Sequence, residues 1–148
     1  MIGYFFVLYL YSNQLKNIMK AKNLKRMANY IKTIPQESFN MVTYRKGDTK
    51  SIECNSIGCV IGHCVSLDIS KTIPRYHESE EIDFGKWSGR FTGLDYYDNE
   101  WDWCFSADWS DTDNTPTGAS KRIEWLLKHG IPNDWKDQIF GNADLCYI

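Results

Sequence analysis

The sequence predicts an α+β fold, a mostly helical single domain with a small β element. Three observations predict it. Residues 22–34 and 116–129 carry apolar side chains at helical spacing between recognisable stops. A glycine-punctuated apolar run at 57–67 has the length of a buried helix. Phe39-Asn40-Met41-Val42-Thr43-Tyr44 reads as extended before the turn-forming Gly47-Asp48. A chain of 148 residues fits one domain, about 100–150 residues being the commonest size. Hydrophobic residues at 43% and aromatics at 15% supply a core, so disorder is not expected over most of the length.

Residues 1–18 look unlike the start of a domain. Tyr4 to Tyr11 form an apolar run too short to cross a bilayer as a helix, which takes about 20 such residues. The basic start and small-residue cleavage site of a signal peptide are missing. Residues 1–18 are therefore expected to be a non-domain extension arising from an upstream start codon, with a single globular domain over 19–148. A short hydrophobic anchor or partner-binding segment, and an N-terminal element of the core, remain the alternatives.

In the first helix Leu24, Met27, Ala28, Ile31 and Ile34 recur on one face, with Lys22, Lys25, Arg26 and Lys32 opposite. Pro35 disfavours helical geometry in Ile34 and ends it. Within 57–67, Gly58 and Gly62 lie four apart and would let another element approach the backbone. Each costs up to about 1 kcal/mol of helix propensity relative to alanine, which calls for a packing or site reason. A pair of strands is the alternative for this all-apolar run. From Arg75 to Asn114 the chain is rich in acids, glycine and large rings, and short helices and loops are expected. The last long helix is the best signalled: Thr115 at the N-cap, Pro116 at the first position, Ala119, Ile123, Leu126 and Leu127 on the apolar stripe, Gly130 as the stop and Pro132 beyond. A short helix at 133–140 completes the domain.

The net charge of -2 gives no global reason to expect nucleic acid or an anionic membrane as partner. The charge is uneven, however. Lys and Arg dominate from Lys16 to Lys50, Asp and Glu from Glu78 to Asp113. Such asymmetry marks either an interaction surface or two halves that pack together. Five cysteines, an odd count without a secretory signal, point to reduced thiols in a cytoplasm, with one bridge left open.

Four candidate chemistries follow from the motifs. Cys54-x4-Cys59-x3-His63-Cys64 would present Cys59 and His63 on one helical face, with Cys54 as a third metal ligand and Cys104, His77 or Cys146 as a fourth. Buried thiols explain the same residues more simply, because structural zinc sites draw on two ligand pairs and no second close pair exists. Cys54 or Cys59 near a helix N-terminus could also act as a nucleophile with His63 or His77 as base. Asp113-x-Thr115-x-Thr117-Gly118-x5-Glu124 matches a calcium loop in outline, but its later positions coincide with the predicted helix, and chance explains it better. The acidic, aromatic stretch offers a binding face built on Asp95, Tyr97, Asp98, Trp101, Asp102, Trp109 and Asp111, suited to a basic protein partner. Its alternative is structural, with the rings packed inward and the carboxylates solvated. No phosphate-cradling glycine loop, nucleotide fingerprint or basic-aromatic groove is present in the sequence.

The order of these motifs carries a resemblance. An amphipathic helix is followed by Phe39-Asn40-Met41-x-x-Tyr44, then Cys54-x4-Cys59-x-Ile61-Gly62-His63. Cys104-Phe105 precedes Trp109-Ser110, and Arg122-Ile123-x-x-Leu126 leads to Gly130-x-Pro132. Over roughly residues 24–132 this resembles a widespread group of small phage and bacterial proteins with a CGTxxCxxGxA-like segment and a closing RIxxL helix. Asn55 stands where that pattern has glycine, and Ser110 where it has proline. The resemblance implies a phage or mobile-element accessory protein and transfers no catalytic residue.

Together these readings favour a non-enzymatic, cytoplasmic protein without a cofactor. It would bind a host protein, a host-defence component being one such target, through the acidic aromatic face. The alternative is a thiol- or zinc-dependent enzyme centred on Cys54, Cys59 and His63.

Overall fold

The computed structural model describes residues 19–44, 57–70, 72–76, 81–96 and 98–142. Among these, helix α1 spans Ala21–Ile31, α2 Val60–Cys64, α3 Phe84–Thr92, α4 Asn99–Phe105, α5 Pro116–His129 and α6 Trp135–Ile139. Short 3-10 turns occupy Gln36–Ser38, Val65–Leu67 and Ala107–Asp111.

Helix α1 buries the stripe its spacing predicts: Leu24, Met27, Ala28 and Ile31 are wholly enclosed. Burying each of the larger side chains contributes about 1.5–3 kcal/mol relative to exposure. Its main partner is α5, whose Ala119, Ile123 and Leu126 face it, and Ser120 Oγ donates to Ala28 O at 2.8 Å across the contact. Helix α5 spans the predicted residues, and Thr115 Oγ1 accepts from the Gly118 amide at 3.0 Å as an N-cap should. Helix α1 ends three residues earlier than its apolar period suggests. The amides of Thr33 and Ile34 turn back onto Tyr30 O and Ile31 O, and Pro35 carries the chain away.

The cysteine-rich run is a dry helix, as expected, but a shorter one. Val60, Ile61, Cys64 and Val65 are at most 1% exposed. The helix begins only after Cys59 because Gly58 is drawn into a bridge with Phe39: the Gly58 amide donates to Ser38 O at 3.1 Å and Asn40 N to Gly58 O at 3.0 Å. Gly58 and Gly62 therefore do not share a helical face.

The small β element is corrected. The described residues hold two isolated bridges, Phe39 with Gly58 and Arg75 with Ile82, and no sheet. Phe39 to Tyr44 does not run on as a strand because Asn40 folds it. Its side-chain oxygen accepts from Val42 N at 3.0 Å and its carbonyl from Thr43 N at 3.3 Å. The fold is mostly helical.

Around the aromatic stretch, α3 starts at Asp83, whose carboxylate accepts from Lys86 N, and stops at Gly93 in the left-handed conformation at φ 74°. One continuous core joins buried residues of all six helices. Between the basic and acidic stretches, Lys20 Nζ donates to Arg90 O and Asn23 Nδ2 to Phe91 O, both acceptors being neutral carbonyls. Lys25 pairs with Glu124 of α5, beyond the acidic stretch, at 3.4 Å with both side chains exposed, an arrangement that contributes about 0–1 kcal/mol. No described helix is long and apolar enough to cross a membrane. Residues 1–18, with the Tyr4–Tyr11 run, lie outside the described residues.

Candidate functional site

The tryptophans of the acidic stretch point inward. Trp109 is fully buried, donates from Nε1 to Trp103 O at 2.8 Å and stacks under the Arg122 guanidinium at 4.2 Å. Trp103 donates to Arg122 O at 2.9 Å, and Trp101 to Ser88 Oγ at 2.9 Å. A buried indole needs a partner for its N–H, and each of these has one inside the protein. Trp109 is therefore not a surface anchor, and Trp101, 5% exposed, shows only an edge. Helix α4 explains the orientation: Trp101, Trp103, Cys104 and Phe105 are all buried, so the helix is enclosed on most sides and Asp102 lies on its remaining outward side.

That outward side borders a cleft of about 340 Å³. One wall is the Met41–Tyr44 turn, the other α4 with Ser106 and Ala107 beyond it. Asn114 holds the turn in place: its side-chain oxygen accepts from Met41 N at 2.8 Å and its carbonyl from Gln36 Nε2 at 2.9 Å. Four rings reach the cleft, those of Tyr44, Tyr96, Trp101 and Phe105. Tyr44 lies flat against Phe84, centroids 5.1 Å apart at 10°. Tyr96 rests on α3 at Gly85, where a Cβ would come within 3.1 Å of its ring, so a side chain there would push the ring outward by a few tenths of an ångström. Burial, and then a hydrogen bond between the two phenols, pushes the Tyr44 hydroxyl far above its ordinary value, so it stays neutral.

Asp102 is the carboxylate of the cleft. Burial, then repulsion from Asp108 and Asp98, pushes its carboxyl above the usual carboxylate value. No lysine, arginine or histidine lines the cleft among the described residues. Val42, 62% exposed, and Tyr96, 37% exposed, complete an apolar rim.

Of the predicted binding residues, then, Trp101 and Asp102 line the cleft, and Asp98 lies near enough to act on Asp102. Asp95 belongs to a neighbouring hollow across Tyr96. Asp111 is exposed in the 3-10 turn away from both linings, and Tyr97 lies outside the described residues. Met41, Val42, Tyr44, Tyr96, Phe105 and Asp108 were not foreseen. Tyr96, Phe105 and Asp108 belong to the acidic, aromatic stretch itself, whereas no local signal announces Met41, Val42 and Tyr44, because the cleft is made by a turn and a helix far apart in sequence.

Two other hollows are less suited to a ligand. The one across Tyr96, about 670 Å³, sets Lys86 and Arg90 among Asp83 and Asp95, so the protein offsets its own charges there. The one between α1 and α3, about 460 Å³, contains basic side chains already engaged: Lys20 on Arg90 O and Arg26 on Leu67 O. Its Asp68 accepts from Trp87 Nε1 at 2.8 Å. Burial pushes that carboxyl up, but bonds from Ser70 and Trp87 with the Arg90 charge outweigh it, leaving the group below its ordinary value.

Two members of the alternative thiol centre, Cys59 and His63, are among the described residues. Cys59 is buried and burial pushes its thiol up to about 11; burial raises Cys64 and Cys104 as well. A nucleophile or metal ligand needs the thiolate, and these environments oppose it. His63 is committed to Ser38 O at 2.7 Å through Nε2, and a carbonyl can only accept, so that nitrogen carries the proton. No group of three or more His, Cys, Asp or Glu among the described residues could hold a metal ion. Cys54, His77 and Cys146 lie outside the described residues. The calcium-loop residues Asp113 and Thr115 are spent on the start of α5, where Thr115 Oγ1 donates to Asp113 Oδ1 at 2.6 Å.

No family model matches the chain, and no curated protein or solved structure matches it either.

Proposed function

We propose that the chain is a non-enzymatic binding protein, a phage or mobile-element accessory factor that engages a basic segment of a host protein. The observation that carries this reading is the aromatic cleft with Asp102 in it and, among the described residues, no cation along the lining. Asp98 and Asp108 add to the negative potential there, since both raise the Asp102 proton affinity. A water-excluding aromatic centre with a charged margin is the usual anatomy of a protein contact. The high proton affinity of Cys59, Cys64 and Cys104 weighs against thiol chemistry. The motif order supports the phage assignment, and cytoplasmic placement follows from it.

Partner recovery from host lysate tests the proposal. The wild-type chain should retain one host protein in stoichiometric amount, and Asp98→Lys with Asp108→Lys should release it while the variant keeps its helical circular-dichroism spectrum and cooperative unfolding. A retained partner in that variant, or no partner across host lysates, overturns the proposal.

A further inference from the structure

The cleft between the Met41–Tyr44 turn and α4 is unusual in what it combines. Tyr44, Tyr96, Trp101 and Phe105 bring ring surfaces to a single hollow, and Asp102, the one acidic side chain among the described residues of the lining, stands among them. Aromatic faces carry a negative quadrupole that attracts cations, most strongly away from water. The rings are held by neighbours that do not depend on a ligand: Tyr44 by Phe84, Tyr96 by Gly85 and by the edge of Trp101, Trp101 by Ser88. A site already formed in this way need not order itself on binding. Met41 and Val42 on the opposite wall offer apolar contact to the stem of a long side chain.

We propose that this cleft takes the side chain of an arginine presented by the partner, its guanidinium lying against the exposed Tyr96 ring, which Trp101 supports from the core, and directed at the Asp102 carboxylate. The inference rests on the binding role proposed above and names what that role recognises. Arginine fits better than lysine because its planar guanidinium both stacks on rings and donates two parallel hydrogen bonds to a carboxylate. The residual charge state of the cleft agrees with it. Burial and the fields of Asp108 and Asp98 make the Asp102 carboxylate unfavourable when alone, and an incoming cation relieves that cost. Anions are excluded by the same charges, and a neutral apolar chain would leave the carboxylate desolvated without compensation.

The test uses the full chain and small probes. N-acetyl-arginine N-methylamide is titrated against it while nitrogen–proton spectra report the Trp101 indole and the amides of Val42, Tyr96 and Asp102. N-acetyl-citrulline N-methylamide, which has the same shape without the charge, is the control, and the lysine analogue is the third arm. Arginine should shift these signals saturably and bind about tenfold more tightly than citrulline, with lysine between them. Asp102→Asn should lower arginine affinity about tenfold and leave citrulline unchanged. Tyr96→Leu, which removes a ring and keeps bulk, should weaken arginine too, so the inference does not hang on one variant. Equal binding of arginine and citrulline, shifts spread over exposed acids away from the cleft, or an Asp102→Asn variant that binds as well as wild type each overturn it. A chain that loses its host partner on reversal of Asp98 and Asp108 but ignores the arginine probe overturns this inference alone. A chain that takes the probe but retains no host protein overturns the broader proposal alone.

Discussion

The Tyr96 ring stands edge-on to Trp101, centroids 4.6 Å apart with 63° between the planes. One ring of this pair is partly open to water and the other is core, so the contact joins the cleft to the interior of the protein. Through Trp101 the cleft is tied to Ser88 on α3, and through Tyr96 it rests on Gly85 of the same helix. Its shape is therefore set by how α3 and α4 pack.

This tie separates the two rings by stability. Trp101→Phe leaves Ser88 Oγ without its buried donor and should cost about 1–3 kcal/mol in urea denaturation. Tyr96→Leu removes an edge-to-face pair at a partly exposed position and should cost about 0.5–1.5 kcal/mol. A larger loss from Tyr96 than from Trp101 would contradict the division into a supporting ring and a contacting ring.

Asp102 should show the opposite sign. Its carboxyl is held above the ordinary value by burial, then by Asp108 and Asp98. A group whose folded value is raised contributes stability below its unfolded value, near pH 4, and loses that contribution as pH rises through the folded value. Asp102→Asn should therefore raise the melting temperature at pH 7 and lose this advantage below about pH 4. A residue whose neutralisation stabilises the fold while weakening binding marks a site kept for function.

The start of α5 supplies a prediction about packing against propensity. A Cβ on Gly118 would run into the Asp113 carboxylate, which Thr115 Oγ1 and Arg122 both hold. Gly118→Ala should destabilise the protein even though alanine favours a helix by about 1 kcal/mol over glycine. Asp113→Ala should be worse, about 3–5 kcal/mol, because it removes the counter-charge of a wholly buried Arg122. Thermal unfolding of the two variants measures both.

Thiol reactivity gives a fourth. In a chain carrying Cys54→Ser and Cys146→Ser, the buried Cys59, Cys64 and Cys104 should be alkylated only as fast as the protein unfolds. Cys59 is raised from an ordinary 9.0 to about 11, so its contribution to stability is complete below pH 9 and falls as pH rises towards 11. Mass spectrometry of the alkylated chain would show rapid native labelling at Cys59 if the thiol centre were real.

The parts of the fold that the sequence reveals are those with local signals. Thr115, Pro116 and Gly130 delimit α5 because capping and φ preferences act within a turn of the residue that carries them. The dry character of 57–67 follows from composition, but its helical start does not, because Gly58 is claimed by Ser38 and Asn40 from another part of the chain. The choice between inward-packed and surface tryptophans is not local either. The groups that accept their N–H bonds, Ser88 Oγ, Arg122 O and Trp103 O, are found only once the helices pack. Four apolar residues in the five positions from Trp101 to Phe105 do signal a helix enclosed on most sides, and that was the available clue. Asp102 was legible as part of an acidic stretch; its partners Tyr44 and Val42, more than fifty residues away, were not.

The most direct measurement is photo-crosslinking from the rim of the cleft. A benzophenone side chain replacing the exposed Val42 should capture a host protein through a peptide containing arginine, and the same group replacing exposed Lys128 on α5 should not. Equal capture from both positions, or capture from position 42 through peptides without a basic residue, would contradict the account.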